Sequence, residues 1–98
     1  MTGFQICGNR GFHVTFENGY TVSVQFGWGN YCSNRHAEPD YDNPDRKPWS
    51  SHDAETAVCG PDGVMLVRPS NPGGTVQGWQ SPADVLALMV WAASQKAP

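Results

Sequence analysis

Apolar and polar residues alternate with a period of two from Gly11 to Phe26. Phe12, Val14 and Phe16 alternate with His13, Thr15 and Glu17. Tyr20, Val22, Val24 and Phe26 then alternate with Thr21, Ser23 and Gln25. This is the pattern of two strands, each buried on one face. The connection between them decides the register. A two-residue Asn18-Gly19 turn would set Phe16 opposite Thr21 and put the apolar residues on opposite faces. A three-residue loop, Glu17-Asn18-Gly19 with Gly19 left-handed, sets Phe16 opposite Tyr20 and Val14 opposite Val22. The pattern therefore predicts a bulged hairpin closed at Gly19.

The flanking segments extend this reading. Phe4-Gln5-Ile6-Cys7 is a short strand, and Gly8-Asn9-Arg10-Gly11 turns it into the hairpin. A second hairpin is predicted from Glu55 to Val67. Its turn, Gly60-Pro61-Asp62-Gly63, has Pro and Asp at the centre of a type I turn and Gly63 left-handed. Ala57 then faces Val67, Cys59 faces Met65 and Val58 faces Leu66. Thr75 to Trp79 supplies a last short strand.

Ser81-Pro82-Ala83-Asp84 starts a helix: Ser at the N-cap, Pro at the first helical position, an acid three residues after the cap. The helix should run from about Pro82 to about Ser94. Val85, Leu88, Met89 and Ala92 form one apolar stripe. Leu86, Val90 and Ala93 form another, widened by Trp91. A helix apolar around most of its girth needs cover on more than one side, from long loops, a second sheet or a partner chain. The expected fold is α+β. A mainly antiparallel sheet of four to five strands, built on two bulged hairpins, carries the C-terminal helix on one face. A homodimer is the expected assembly, because an uncovered apolar face usually marks an interface.

No element is predicted between Gly27 and Ala54. So long a connection inside one domain, here residues 1–98, is usually functional or disordered. Pro39, Pro44 and Pro48 interrupt it, while Trp28, Tyr31, Tyr41 and Trp49 favour packing. The expectation is a long ordered loop over residues 27–54.

Composition narrows the function classes. A chain of 98 residues buries roughly 60–65% of its unfolded surface as one small domain. The net charge of −3, with six scattered basic residues (Arg10, Arg35, Arg46, Lys47, Arg68, Lys96), argues against duplex nucleic acid. The longest apolar run, Val85 to Ala93, is well short of the ~20 residues needed to span a bilayer. The N-terminus has no charged segment leading into an apolar one, so no signal peptide is read there. Cys7, Cys32 and Cys59 lack a disulfide rhythm. Reduced thiols and a cytoplasmic location are expected.

Trp28-Gly29-Asn30-Tyr31-Cys32-Ser33-Asn34-Arg35-His36 is the candidate binding segment. Trp28 and Tyr31 could stack on a planar ligand or anchor a protein partner. Asn30, Asn34, Arg35 and His36 supply amide, guanidinium and imidazole donors. A nucleotide would place Arg35 on a phosphate and Asn30 or Asn34 on a base edge, with Arg10 or Arg68 folded nearby. The bland alternative is an ordered connection whose aromatics fill the core edge. The polar hairpin face (His13, Thr15, Thr21, Ser23, Gln25) reads as a water-facing side.

Other chemistries fit less well. Cys32, His36, His52 and Cys59 have spacings that match no common zinc finger. Asp40-Tyr41-Asp42-Asn43-Pro44-Asp45 fails as a calcium loop, because Asp45 stands where glycine is required. A Cys/His nucleophile–base pair could be drawn from Cys32 or Cys59 with His13, His36 or His52, but no orienting third group accompanies it. Gly8-Asn9-Arg10-Gly11 lacks the lysine of a phosphate loop. No metal and no cofactor are expected, and a binding protein is favoured over a small Cys/His hydrolase or nuclease.

The run Gly11-Phe-His-Val-Thr-Phe-Glu-Asn-Gly-Tyr-Thr-Val-Ser-Val-Gln-Phe-Gly27, followed by Gly29-Asn30-Tyr31, resembles a run in small proteins of bacteriophages and some bacteria. Gly60-Pro61-Asp62-Gly63 and the C-terminal helix are more weakly similar. That group has no assigned activity, so the resemblance implies a context and no site residue: a small cytoplasmic accessory protein of phage or prophage type. By analogy of context, such a protein would blunt a host defence, by capping a host protein or by sequestering a signalling nucleotide. A structural accessory role is the further alternative.

Overall fold

Strands β2 (Gly11–Thr15) and β3 (Thr21–Gln25) pair antiparallel with Val14 opposite Val22. The Phe16 N–H donates to the Tyr20 carbonyl at 2.9 Å, and the Gly19 N–H to the Phe16 carbonyl at 2.9 Å. Gly19 has φ +89°. The hairpin thus closes through the three-residue loop that keeps its apolar residues on one face. The computed structural model describes residues 2–8, 10–36, 42 and 50–97. The calcium-like reading of residues 40–45, Asp42 apart, and the packing expected of Tyr41 and Trp49 lie outside the described residues.

With β1 (Gly3–Cys7), β4 (Ala54–Cys59) and β5 (Val76–Gln80), the strands form one sheet in the order β1-β2-β3-β4-β5, every pair antiparallel. Helix α1 (Pro82–Ala93) follows. The fold is α+β and mainly sheet. Among the described residues, no strand or helix lies between Gly27 and Ala54.

One pairing differs from the expected second hairpin. Its turn closes as read: the Gly60 N–H donates to the Val64 carbonyl at 3.0 Å, Cys59 bridges Met65, and the Leu66 N–H reaches the Val58 carbonyl at 2.8 Å. Beyond Leu66 the chain leaves the ladder, and Ala57 pairs with Val76 instead of Val67. Two features drive the departure. Pro69 has no N–H to give a ladder, and the Arg68 side chain turns in to bond Thr56 at 2.9 Å.

The core lies between one sheet face and the helix. Val14, Val22, Val24, Ala54 and Val58 pack with Leu88 and Ala92, and Phe12, Phe16, Tyr20, Val85, Met89 and Trp91 close its margins. A capping box starts the helix: Ser81 Oγ accepts from the Asp84 N–H at 3.1 Å, and Asp84 Oδ2 from the Ser81 N–H at 3.0 Å. Its far end is tied to the first hairpin. Asn18 Nδ2 donates to the carbonyls of Ala92 (2.8 Å) and Gln95 (2.9 Å), while its Oδ1 accepts from the Tyr20 N–H. One turn residue therefore both shapes the loop and caps the helix C-terminus.

The helix packs on β3, β4 and β5. The β1 end of the same face is bare, with Phe4 80% and Ile6 82% exposed. The outward stripe of the helix is open as well, with Leu86 63% and Val90 61% exposed. No described part of the chain supplies the second cover that the sequence led us to expect. No helix among the described residues is long and apolar enough to cross a membrane.

Candidate binding surface

The site is built around a defect in the sheet. Ala54 faces Gln80 and Thr56 faces Gln77, so both Gly78 and Trp79 oppose Glu55. This is a β-bulge. Trp79 takes the extra turn with φ +51°, the one non-glycine residue at positive φ among those described. Holding a bulky residue there costs about 1–2 kcal/mol. The indole is 56% exposed, so little burial offsets that cost.

The bulge frees backbone groups, and the loop after β3 takes them up. The Trp79 N–H donates to the Tyr31 carbonyl at 2.8 Å. The Tyr31 N–H donates to Glu55 Oε2 at 2.7 Å, and Asn30 Nδ2 to Glu55 Oε1 at 3.4 Å. Gly78 lets the loop come this close: a Cβ there would lie 2.6 Å from the Tyr31 Cβ and 2.9 Å from its carbonyl oxygen. Both main-chain groups of Tyr31 are thus engaged, the N–H by the Glu55 carboxylate and the carbonyl by the Trp79 N–H.

Its ring is consequently placed. Tyr31 and Trp79 lie with ring centroids 5.8 Å apart, tilted by 30°, and the Arg35 guanidinium sits 4.8 Å from the centre of the Tyr31 ring. Tyr31 is 45% exposed. The result is a guanidinium–phenol–indole stack open to solvent. Such pairs contribute only about 0.5–1.5 kcal/mol each at exposed positions. They pre-order a surface more than they hold the fold.

Of the segment singled out in the sequence, the structure joins Tyr31 and Arg35 and adds Trp79 and Glu55. Trp28 lies exposed in the turn before them. His36 is exposed at the end of the described stretch. Asn30 and Asn34 turn inward. Asn30 Oδ1 accepts from the Gly27 N–H at 3.1 Å, and the buried Asn34 donates from Nδ2 to the Phe26 carbonyl at 3.3 Å. The loop is tied further by the Ser33 N–H, which donates to Asp53 Oδ1 at 2.5 Å. That bond, with a smaller contribution from the Ser33 side chain, holds the Asp53 carboxyl below its usual range.

The thiols of Cys32 and Cys59 are poorly disposed for nucleophilic attack. Cys32 is 2% exposed and directs its thiol at the Gly27 carbonyl. Burial, and then the nearby Asp62, push the Cys59 thiol up, away from the reactive thiolate. No group of three or more His, Cys, Asp or Glu side chains able to hold a metal ion forms among the described residues. Compared with protein-family models, curated proteins and solved structures, the chain matches none.

Proposed function

We propose that this chain is a non-enzymatic binding protein that docks a partner protein on the Tyr31–Arg35–Trp79 stack, with Trp28 at its margin. The observation that supports this most is Trp79, held left-handed in a bulge with its ring exposed and stacked. Backbone strain of this kind persists where the surroundings over-determine it, and it concentrates at functional sites. Trp, Tyr and Arg are also the residue types that dominate binding energy in protein interfaces.

A protein partner fits better than a signalling nucleotide. The Glu55 carboxylate accepts from the Tyr31 N–H, and the chain carries a net charge of −3. Both oppose an anionic ligand. With the phage-type context of the Gly11–Gly27 run, the reading becomes an accessory protein that blunts a host defence in the bacterial cytoplasm by capping one of its components. Self-association through the open Leu86 and Val90 stripe belongs to the same reading.

The test is paired affinity capture from a bacterial lysate with wild type and a Tyr31→Ala/Arg35→Ala/Trp79→Ala variant, analysing proteins and small molecules together. A specific protein held by wild type and lost by the variant supports the proposal. Identical recovery by both would reduce the stack to a structural feature. A co-purified nucleotide lost with the same three residues would replace the protein partner by a sequestered ligand.

A further inference from the structure

A second site lies on the helix side of the sheet. Arg68 is only 3% exposed, and no carboxylate pairs with it among the described residues. A guanidinium has five N–H donors. Two reach Thr56, at Oγ1 (2.9 Å) and at the carbonyl oxygen (3.5 Å), and the buried Nε has no partner. A buried cation without a counter-charge is expensive, by several kcal/mol in a medium of low polarity. Desolvation accordingly lowers the pKa of Arg68.

Arg68 lines a cleft of about 410 Å³, between β5 and the helix. That volume lies within the range of small-molecule sites, roughly 300–1,000 Å³. Gln77 and Gln80 stand near Arg68 in the wall, Leu88 and Trp91 supply an apolar and aromatic side, and Asp84 completes the lining. We propose that this cleft binds a small organic monocarboxylate, its carboxylate on Arg68 and its apolar body against Leu88 and Trp91. The planar fork of arginine matches a carboxylate in a bidentate pair. One guanidinium balances one negative charge, and Asp84 on the same lining opposes a second. A phosphate monoester dianion is therefore the poorer fit.

The probe is phenylacetate, followed through the Trp91 indole N–H resonance, with phenylacetamide as the neutral analogue and phenyl phosphate as the dianion. Phenylacetate should bind wild type with a millimolar or tighter dissociation constant, at least tenfold better than either analogue. Arg68→Met should keep the fold, because an apolar replacement removes the buried charge, and should weaken phenylacetate at least tenfold. Ala87→Trp, at an exposed helix position on the cleft wall, should block binding equally and serves if Arg68→Met does not fold. Absence of phenylacetate binding at 10 mM overturns the proposal. So does equal affinity for phenylacetamide, equal or tighter binding of phenyl phosphate, or unchanged binding in the foldable variants.

Discussion

Replacing Asn18 by Asp exchanges one atom type and keeps the shape, so it isolates the bond between the first hairpin and the helix end. Asn18 Nδ2 serves two carbonyls, those of Ala92 at 2.8 Å and Gln95 at 2.9 Å. In Asn18→Asp a carboxylate oxygen would stand where that donor was. Two net hydrogen bonds are lost, at about 0.5–1.5 kcal/mol each. A negative charge is also set at the negative end of the helix dipole, costing about 0.3–1 kcal/mol. The last turn carries no basic residue to offset it. The expected loss at pH 7 is about 1.3–4 kcal/mol, from the sum of these terms. The bond from the Tyr20 N–H to Oδ1 survives in the variant, so the hairpin turn itself is not the source of the loss.

The sign of the pH dependence follows. Facing two carbonyls, the new carboxyl has a folded pKa above its unfolded value, which is near 3.9. The variant therefore recovers stability below the unfolded pKa, where a protonated carboxyl can donate again. It loses stability as pH rises through the folded pKa. Urea unfolding at a series of pH values, with wild type measured in parallel, reads both effects. Asn18→Ala loses the Tyr20 bond as well and should cost about 1.5–4.5 kcal/mol, with no such added pH dependence. An Asn18→Asp loss under ~0.5 kcal/mol at pH 7, within the range of an ordinary surface substitution, would refute the reasoning. A pH-independent deficit would refute the electrostatic part alone.

Gly78→Ala forces a methyl group to within 2.6 Å of the Tyr31 Cβ. It should cost about 1–3 kcal/mol in chemical denaturation and disrupt the Tyr31–Trp79 stack in the near-ultraviolet circular dichroism. Asp53 has a depressed pKa through its bond from Ser33. Its contribution is therefore full above the unfolded carboxyl pKa and fades as pH falls through the folded one, and the Ser33 amide resonance should shift over the same acid window; a Ser33 amide indifferent to that titration would contradict the tie. Leu86→Glu/Val90→Glu should leave the fold intact and abolish self-association, read by light scattering at high micromolar concentration. A wild type that is strictly monomeric there would remove the dimer from the proposal.

The first hairpin was legible in the sequence because two independent constraints had one solution. Only a three-residue loop puts Val14, Phe16, Tyr20 and Val22 on a common face. The helix was legible because Ser81 and Asp84 cap it reciprocally, in a local interaction four residues long. The partner of β4 was not. Strand pairing beyond a turn depends on non-local competition, and Val76–Gln80 wins that edge because Arg68 and Pro69 pull the intervening chain off the ladder. The role of Asn18 was hidden for the same reason. Its position in the turn was readable, but its bond to Ala92, far along the chain, exists only once the helix has docked.

The candidate surface was half visible in the sequence. Trp28, Tyr31 and Arg35 stood out as aromatics and a guanidinium clustered after a strand, and the fold does stack Arg35 on Tyr31. In the sequence Trp79 reads only as the end of a strand. Yet Gly78-Trp79 carried a usable signal: a lone glycine inside a strand marks a bulge or a close backbone approach, and here it marks both. Arg68 left no signal of its own. In the sequence it is one of six scattered cations, and a basic residue is ordinarily exposed. Only the three-dimensional structure shows that it is buried against Thr56, with no acid paired to it among the described residues. That mismatch between residue type and place gives the helix-side cleft its chemical meaning. The strained indole does the same for the opposite case, a costly backbone with little burial to offset it. In both places the chain departs from what folding alone would favour, with exposed aromatic rings gathered at the one and a buried guanidinium beside a cleft at the other.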